Sequence, residues 1–185
     1  MNEALDKAVR VFSRRGYHGT SITDLTNEMG VAQGSIYKAF GDKQGVFVAA
    51  FLRYRAARLE RLRQTVGTVG SGRERLDRAL GFYVESSQGE EGLLGCLVVG
   101  GAAELSTFDP EVARHIVSAL ERNEAFLAGL IREGQADGSI SVSVEPDAAA
   151  RMLLCLVQGM RVVGKTGRSR EEMQAAVDTA LRALA

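Results

Sequence analysis

Of 185 residues none is tryptophan, and only two each are cysteine, proline and histidine. The cysteines, Cys96 and Cys155, lie far apart in apolar surroundings with no CxxC and no Cys/His spacing, which excludes a disulfide scaffold and a zinc module and leaves two thiols. His115 has Glu111 four residues before it but no second histidine, and His18 stands alone in a turn, so no metal or other cofactor is expected. No stretch approaches the ~20 uncharged apolar residues needed to cross a bilayer, and the opening MNEALDKAVRVF carries acids where a signal peptide would be apolar. A soluble cytoplasmic protein without a membrane partner is expected. The glycines form neither GxxxxGK[ST] nor a strand-led GxGxxG, and no nucleophile with a base or paired carboxylates can be picked out, so an enzyme is not expected.

What the chain does have is an apolar fraction of 45%, ample for a buried core, and a charge balance of zero that hides an asymmetry. Residues 1 to 64 carry 11 Lys and Arg against 6 Asp and Glu, a net of +5, and the remaining 12 and 17 give −5. A basic head on an acidic body points to a polyanion at one end; chance asymmetry in a single domain is the plain alternative.

The patterning is helical almost throughout, and an all-α fold is expected. Leu5, Ala8, Val9 and Phe12 fall at i, i+3, i+4 and i+7, with Gly16 as the stop. Ser21 can cap a second helix with Ile22, Leu25 and Met29 on one face and Asp24 at its positive end, ended by Gly30. A third, short helix runs from Gln33 to Phe40, and a longer one from Lys43 to about Val66, whose later half is crowded with arginine. Five more are predicted at roughly 72–88, 92–106, 110–136, 146–165 and 169–184. The alternating Ser139 to Val144 is a lone run without a partner strand, so a loop or extended connector is expected.

Helix, helix, tight turn, helix in a basic segment is the helix-turn-helix arrangement, whose last helix lies in the DNA major groove. Ile36 and Phe40 can anchor that helix while Gln33, Ser35, Tyr37 and Lys38 point away. Gln33 can donate and accept at a base edge; Ser35, Tyr37 and Lys38 suit phosphates, and Lys43 at the start of the next helix can join in gripping the backbone. The segment FSRRGYHGTSITDLTNEMGVAQGSIYKAFGDKQGVF resembles the DNA-binding segment of TetR-family repressors in Phe12, Gly16, Thr20, Gly30-Val31, Gly34, Ile36, Tyr37, Phe40 and Lys43. The resemblance implies phosphate contacts by Thr20, Tyr37, Lys38 and Lys43. It departs at Ala32, where a capping Ser or Thr is frequent, and at Gly41, where proline is. It extends more weakly to GCLVVGGAAELSTFDPEV and RMLLCLVQGMRV, which implies a C-terminal domain for an unknown small-molecule ligand. Residues 1–45 would then read double-stranded operator DNA and residues 46–185 bind ligand and dimerise.

In that family the last two helices form a four-helix bundle with their mates. Here Ala149, Met152, Leu153, Leu156, Val157 and Met160 with Ala175, Val177, Ala180, Leu181 and Leu184 offer faces for a homodimer or for the chain's own core. A pocket between helices needs an apolar wall with a few polar groups, and Phe82, Tyr83, Leu97, Glu104, Phe126, Cys155 and Gln158 are its candidates, with ordinary core as the competing reading. Cys96, near a helix start, is a candidate redox thiol or a small hydrophobe. The function expected is that of a transcriptional regulator, a repressor released from its operator by ligand. The alternative is a constitutive DNA-binding dimer without ligand control.

Overall fold

The computed structural model describes residues 2–104 and 107–184, and among these every regular element is helical. Ten α-helices follow one another: α1 (Asn2–Arg15), α2 (Ile22–Met29), α3 (Gln33–Phe40), α4 (Lys43–Val66), α5 (Gly72–Glu85), α6 (Gly89–Leu94), α7 (Leu97–Ala103), α8 (Pro110–Ala136), α9 (Pro146–Val163) and α10 (Arg170–Arg182), with a 3-10 turn at Gly164–Thr166 after α9. The all-α expectation holds. Their starts are written in the sequence. Ser21, Ser71 and Ser169 each accept the amide three residues on, while Asp24, Glu74 and Glu172 bond back to the serine amide, so α2, α5 and α10 all open on a capping box. Pro146 occupies the first turn of α9, where its missing N–H costs nothing. Gly30 ends α2 at φ 70°, a left-handed position at no steric cost for glycine.

One expected helix is two. The span predicted as 92–106 breaks between α6 and α7, because Gly95 takes φ 97° and Cys96 is extended at φ −134°; Leu105 and Ser106 lie outside the described residues. Ser139 to Val144 forms no strand. Gln135 Nε2 instead donates to the carbonyls of Ser141 and Val144 at 3.0 and 2.8 Å, folding the segment back on the end of α8.

The chain divides into two compact units, Met1–Leu59 with Leu94–Ala119, and Glu60–Leu93 with Leu120–Ala185. In the first, α1 buries Ala8, Val11 and Phe12, and α4 buries Val46, Phe47, Ala50 and Phe51. Rings of Phe12 and Phe47 meet edge to face at 5.1 Å. Arg53 on α4 holds Asp6 on α1 through two bonds of 2.6 Å. In the second unit a single core gathers Leu76, Leu80 and Val84 of α5, Leu127, Leu130 and Ile131 of α8, Leu153, Val157 and Met160 of α9, and Met173, Val177 and Leu181 of α10. Much of the apolar surface of the last two helices is thus consumed within the chain. Met152, Cys155, Val162 and Val163 of α9 and Ala175 of α10 remain exposed.

Several carboxylates are held below their usual range: Asp6 by its bond to Arg53, Asp24 by Ser21, Asp137 by Ser139 and the Gly72 amide, and Glu172 by the Ser169 amide. A carboxyl whose folded pKa is depressed stabilises the fold above its unfolded pKa, about 4, and that stability drains away as pH falls through the folded value. Urea midpoints are therefore expected to stay level from pH 7 to about 5 and to fall steadily below about pH 4. A midpoint that rises on acidification would refute this.

Candidate nucleic-acid interface

α3 has eight residues, and its two sides differ sharply. Ile36 is fully buried and Phe40 half-buried, whereas Gln33, Gly34, Ser35, Tyr37, Lys38 and Ala39 are exposed. The turn before it, from the left-handed Gly30 through Val31 and Ala32, brings α3 in at a sharp corner to α2, whose Leu25 and Met29 are buried. Ala32 makes no side-chain cap bond, so α3 begins without the oxygen a serine would supply. The result is an exposed, uncharged-to-basic ridge over a hydrophobic keel.

Of the six residues expected at DNA, the structure brings Gln33, Ser35, Tyr37 and Lys38 together on this ridge and places two elsewhere. Thr20 is 2% exposed and its hydroxyl donates to the Gly16 carbonyl at 2.7 Å. That hydroxyl is spent on fastening the turn between α1 and α2, so its proton is committed there and not to the phosphate contact expected of it. Lys43 is half-buried; its Nζ donates to the carbonyls of Tyr17 and Thr20 at 3.0 Å each and lies 4.3 Å from the Tyr17 ring centroid. Two of its three protons are committed inside the protein, so its first duty is to the same turn. Burial raises the pKa of Tyr17, which keeps the phenol neutral beneath the ammonium.

What sequence reasoning missed is the far side of that turn. Glu104, expected among the pocket residues, instead accepts the Tyr17 amide at 3.1 Å, and His18 Nε2 lies 2.7 Å from Thr107 Oγ1. No local signal could have revealed pairings across 87 and 89 residues.

The seven pocket candidates are divided between the two units. Leu97 and Glu104 belong to the first unit, and the other five to the second. There Phe82 lines a cavity of 330 Å³ with Arg61, Gln64, Thr65, Glu85, Ser86 and Glu91. Tyr83 is buried in the core, Phe126 packs against it half-buried, Gln158 is half-buried and Cys155 is exposed. Arg61 spans the cavity wall, its guanidinium 5.4 Å from the Phe82 ring and 2.7 Å from Glu91. Cys96, in the first unit, is buried and accepts a bond from the Tyr54 hydroxyl at 3.2 Å.

Residues 4–50, the stretch that carries α1 to α3 and the start of α4, match the family described as bacterial regulatory proteins, tetR family, and residues 72–180 match the tetracyclin repressor-like C-terminal domain. The chain belongs to the TetR family. TetR-family proteins are DNA-binding transcriptional regulators, not enzymes, and this chain is one of them. Its fold superposes with a TM-score of 0.88 on a cysteine-substituted form of the TetR family transcriptional regulator CifR solved with 26-bp double-strand operator DNA, at 30% identity over all of this chain and 96% of that one. It is 27% identical to an uncharacterized HTH-type transcriptional regulator, YezE, of Bacillus subtilis (strain 168), over 97% of this chain and 93% of that protein. It is also 27% identical to the HTH-type transcriptional repressor ComR of Escherichia coli (strain K12), over 97% of this chain and 86% of that protein. Among the described residues of this TetR-family chain, no helix is long and apolar enough to cross a membrane.

Proposed function

We propose that the protein is a homodimeric repressor in the bacterial cytoplasm, released from operator DNA when a small molecule binds its C-terminal domain. The observation that carries the reading is the ridge of α3. Gln33, Ser35, Tyr37 and Lys38 stand in solvent over a fully buried Ile36, the division a helix needs to lie in a major groove. Gln33 reads a base edge; Ser35, Tyr37 and Lys38 hold phosphates and set the register, with Thr20 and Lys43 bracing the turn behind them. The head comprises residues 1–45, and residues 46–185 form the part that binds ligand and dimerises. Dimerisation is favoured because one eight-residue helix reads too few base pairs, and because α9 leaves Met152, Val162 and Val163 between 43% and 54% exposed for a mate. Ligand acts by favouring one of two helix arrangements, and α4, which contributes residues to both units, is the element both arrangements share.

Binding of duplexes selected from a random-sequence library tests the reading. Lys38→Ala is expected to weaken all of them nearly alike and to lower the slope of log affinity against log salt by about 2, one for each protomer of the dimer, while Gln33→Ala reorders their ranking. A Lys38→Ala protein with unaltered affinity and slope would count decisively against the ridge as the DNA-reading surface.

A further inference from the structure

The turn between α1 and α2 is gripped from two sides by charged groups that belong to neither helix. From the start of α4, the Lys43 ammonium takes the carbonyls of Tyr17 and Thr20. From the C-terminal end of α7, the Glu104 carboxylate takes the amide of Tyr17. Tyr17 therefore has both its N–H and its C=O held by ionised partners, and bonds of that kind are roughly twice as strong as neutral ones. Gly16 is shaped to admit this contact. A Cβ there would run into Glu104 Oε1, and the residue sits at φ 71°, where a side chain is strained in any case. Around the same point the Phe108 ring lies 4.9 Å from that of Tyr17 and 5.2 Å from that of Phe47.

We infer that Glu104 is a positioning residue for DNA recognition and that α7, through it, sets the operator affinity of the head. The inference rests on the reading of α3 as the DNA-reading helix and adds the path by which that helix is controlled. The turn fixes where α2 begins, since Thr20 directly precedes the Ser21 cap. α2 in turn carries the buried Leu25 and Met29 on which the ridge of α3 depends. With Glu104 in place the turn has one position; with α7 displaced, Tyr17 loses its amide partner and the start of α2 is released. Glu104 touches neither base nor phosphate in this scheme, and being anionic it could only repel a duplex.

The test uses the full chain and a duplex that the wild-type protein selects from a random-sequence library. Glu104→Ala is expected to bind that duplex about tenfold more weakly with an unchanged salt slope, because no phosphate contact is lost. Glu104→Gln, whose amide oxygen still accepts from Tyr17, is expected to recover most of the affinity. Hydrogen exchange at the Tyr17 amide is expected to quicken in Glu104→Ala and not in Glu104→Gln. Affinity within twofold of wild type in Glu104→Ala, or a weakening that Glu104→Gln shares in full, overturns the inference. If Glu104→Ala does not fold, Glu104→Asp, whose acceptor is withdrawn by one methylene, takes its place with the same expected loss, and wild-type affinity in it is equally fatal. A wild-type protein that selects no duplex defeats the DNA-reading assignment itself, and this inference with it, whereas tight wild-type binding with indifferent Glu104 variants defeats this inference alone.

Discussion

Ile36→Ala is expected to remove about 3 kcal/mol from the stability of the head, and operator binding at room temperature with it, although the side chain is fully buried and faces away from the ridge. An isolated helix of eight residues does not persist in water, so α3 exists because something holds it. Its N-cap contributes no side-chain bond, and Phe40 at its end is only half-buried. Ile36 is therefore the principal anchor, and truncating it leaves a cavity against α2. Tyr37→Ala, one residue on and 46% exposed, is expected to change stability by no more than about 0.5 kcal/mol while still weakening DNA binding. Adding Ala32→Ser to the Ile36 variant is expected to return about 1 kcal/mol, since Ala32 already has the extended conformation, φ −64° and ψ 145°, from which a hydroxyl can cap. Urea denaturation paired with duplex titration separates the cases. Equal destabilisation by Ile36→Ala and Tyr37→Ala would show that the keel and the ridge of α3 have been confused.

The same contrast explains how much of this protein was legible in its sequence. α2, α3 and α8 were read with their bounds because their signals are local: a serine cap, a glycine stop, a proline start and an apolar stripe of period 3.6. The ridge was legible for the same reason, as periodicity assigns faces within one helix. The helix expected at 92–106 failed because Leu93, Leu94, Leu97 and Val98 keep a helical spacing across Gly95, and spacing carries no information about the backbone torsion that interrupts it. Glu104 is a different case. An acid among small apolar residues must find a partner, and that much was sound. The partner is an amide 87 positions away, which no pattern in the chain specifies. Lys43 and Thr20 show the limit of a family resemblance, which identifies the residue at a position without saying which of its donors the fold consumes.

In the second unit the largest effect is expected from the smallest change, a methyl group at Gly72. This glycine opens α5 in a buried position, and its amide donates to Asp137 Oδ2 at 2.6 Å. A Cβ built on it would meet the backbone of Gly134, near the end of α8, and Gly134 is pressed from its own side by Ile140. The two helix ends thus approach with only backbone between them, and backbone has no rotamer with which to retreat. Helix propensity alone would make Gly72→Ala favourable by up to about 1 kcal/mol. Overpacking against an unyielding neighbour opposes it with about 3 kcal/mol, so the steric cost wins and the urea midpoint is expected to fall by about 1 M. Gly129→Ala supplies the comparison, because Gly129 lies within α8 five residues before Gly134 and a Cβ there meets nothing within 4 Å. It is expected to raise stability by up to about 1 kcal/mol, as an alanine does in an open helical site. Substitutions identical in chemistry should therefore move the midpoint in opposite directions, and a shift of the same sign in both would mean that α5 and α8 do not meet at Gly72.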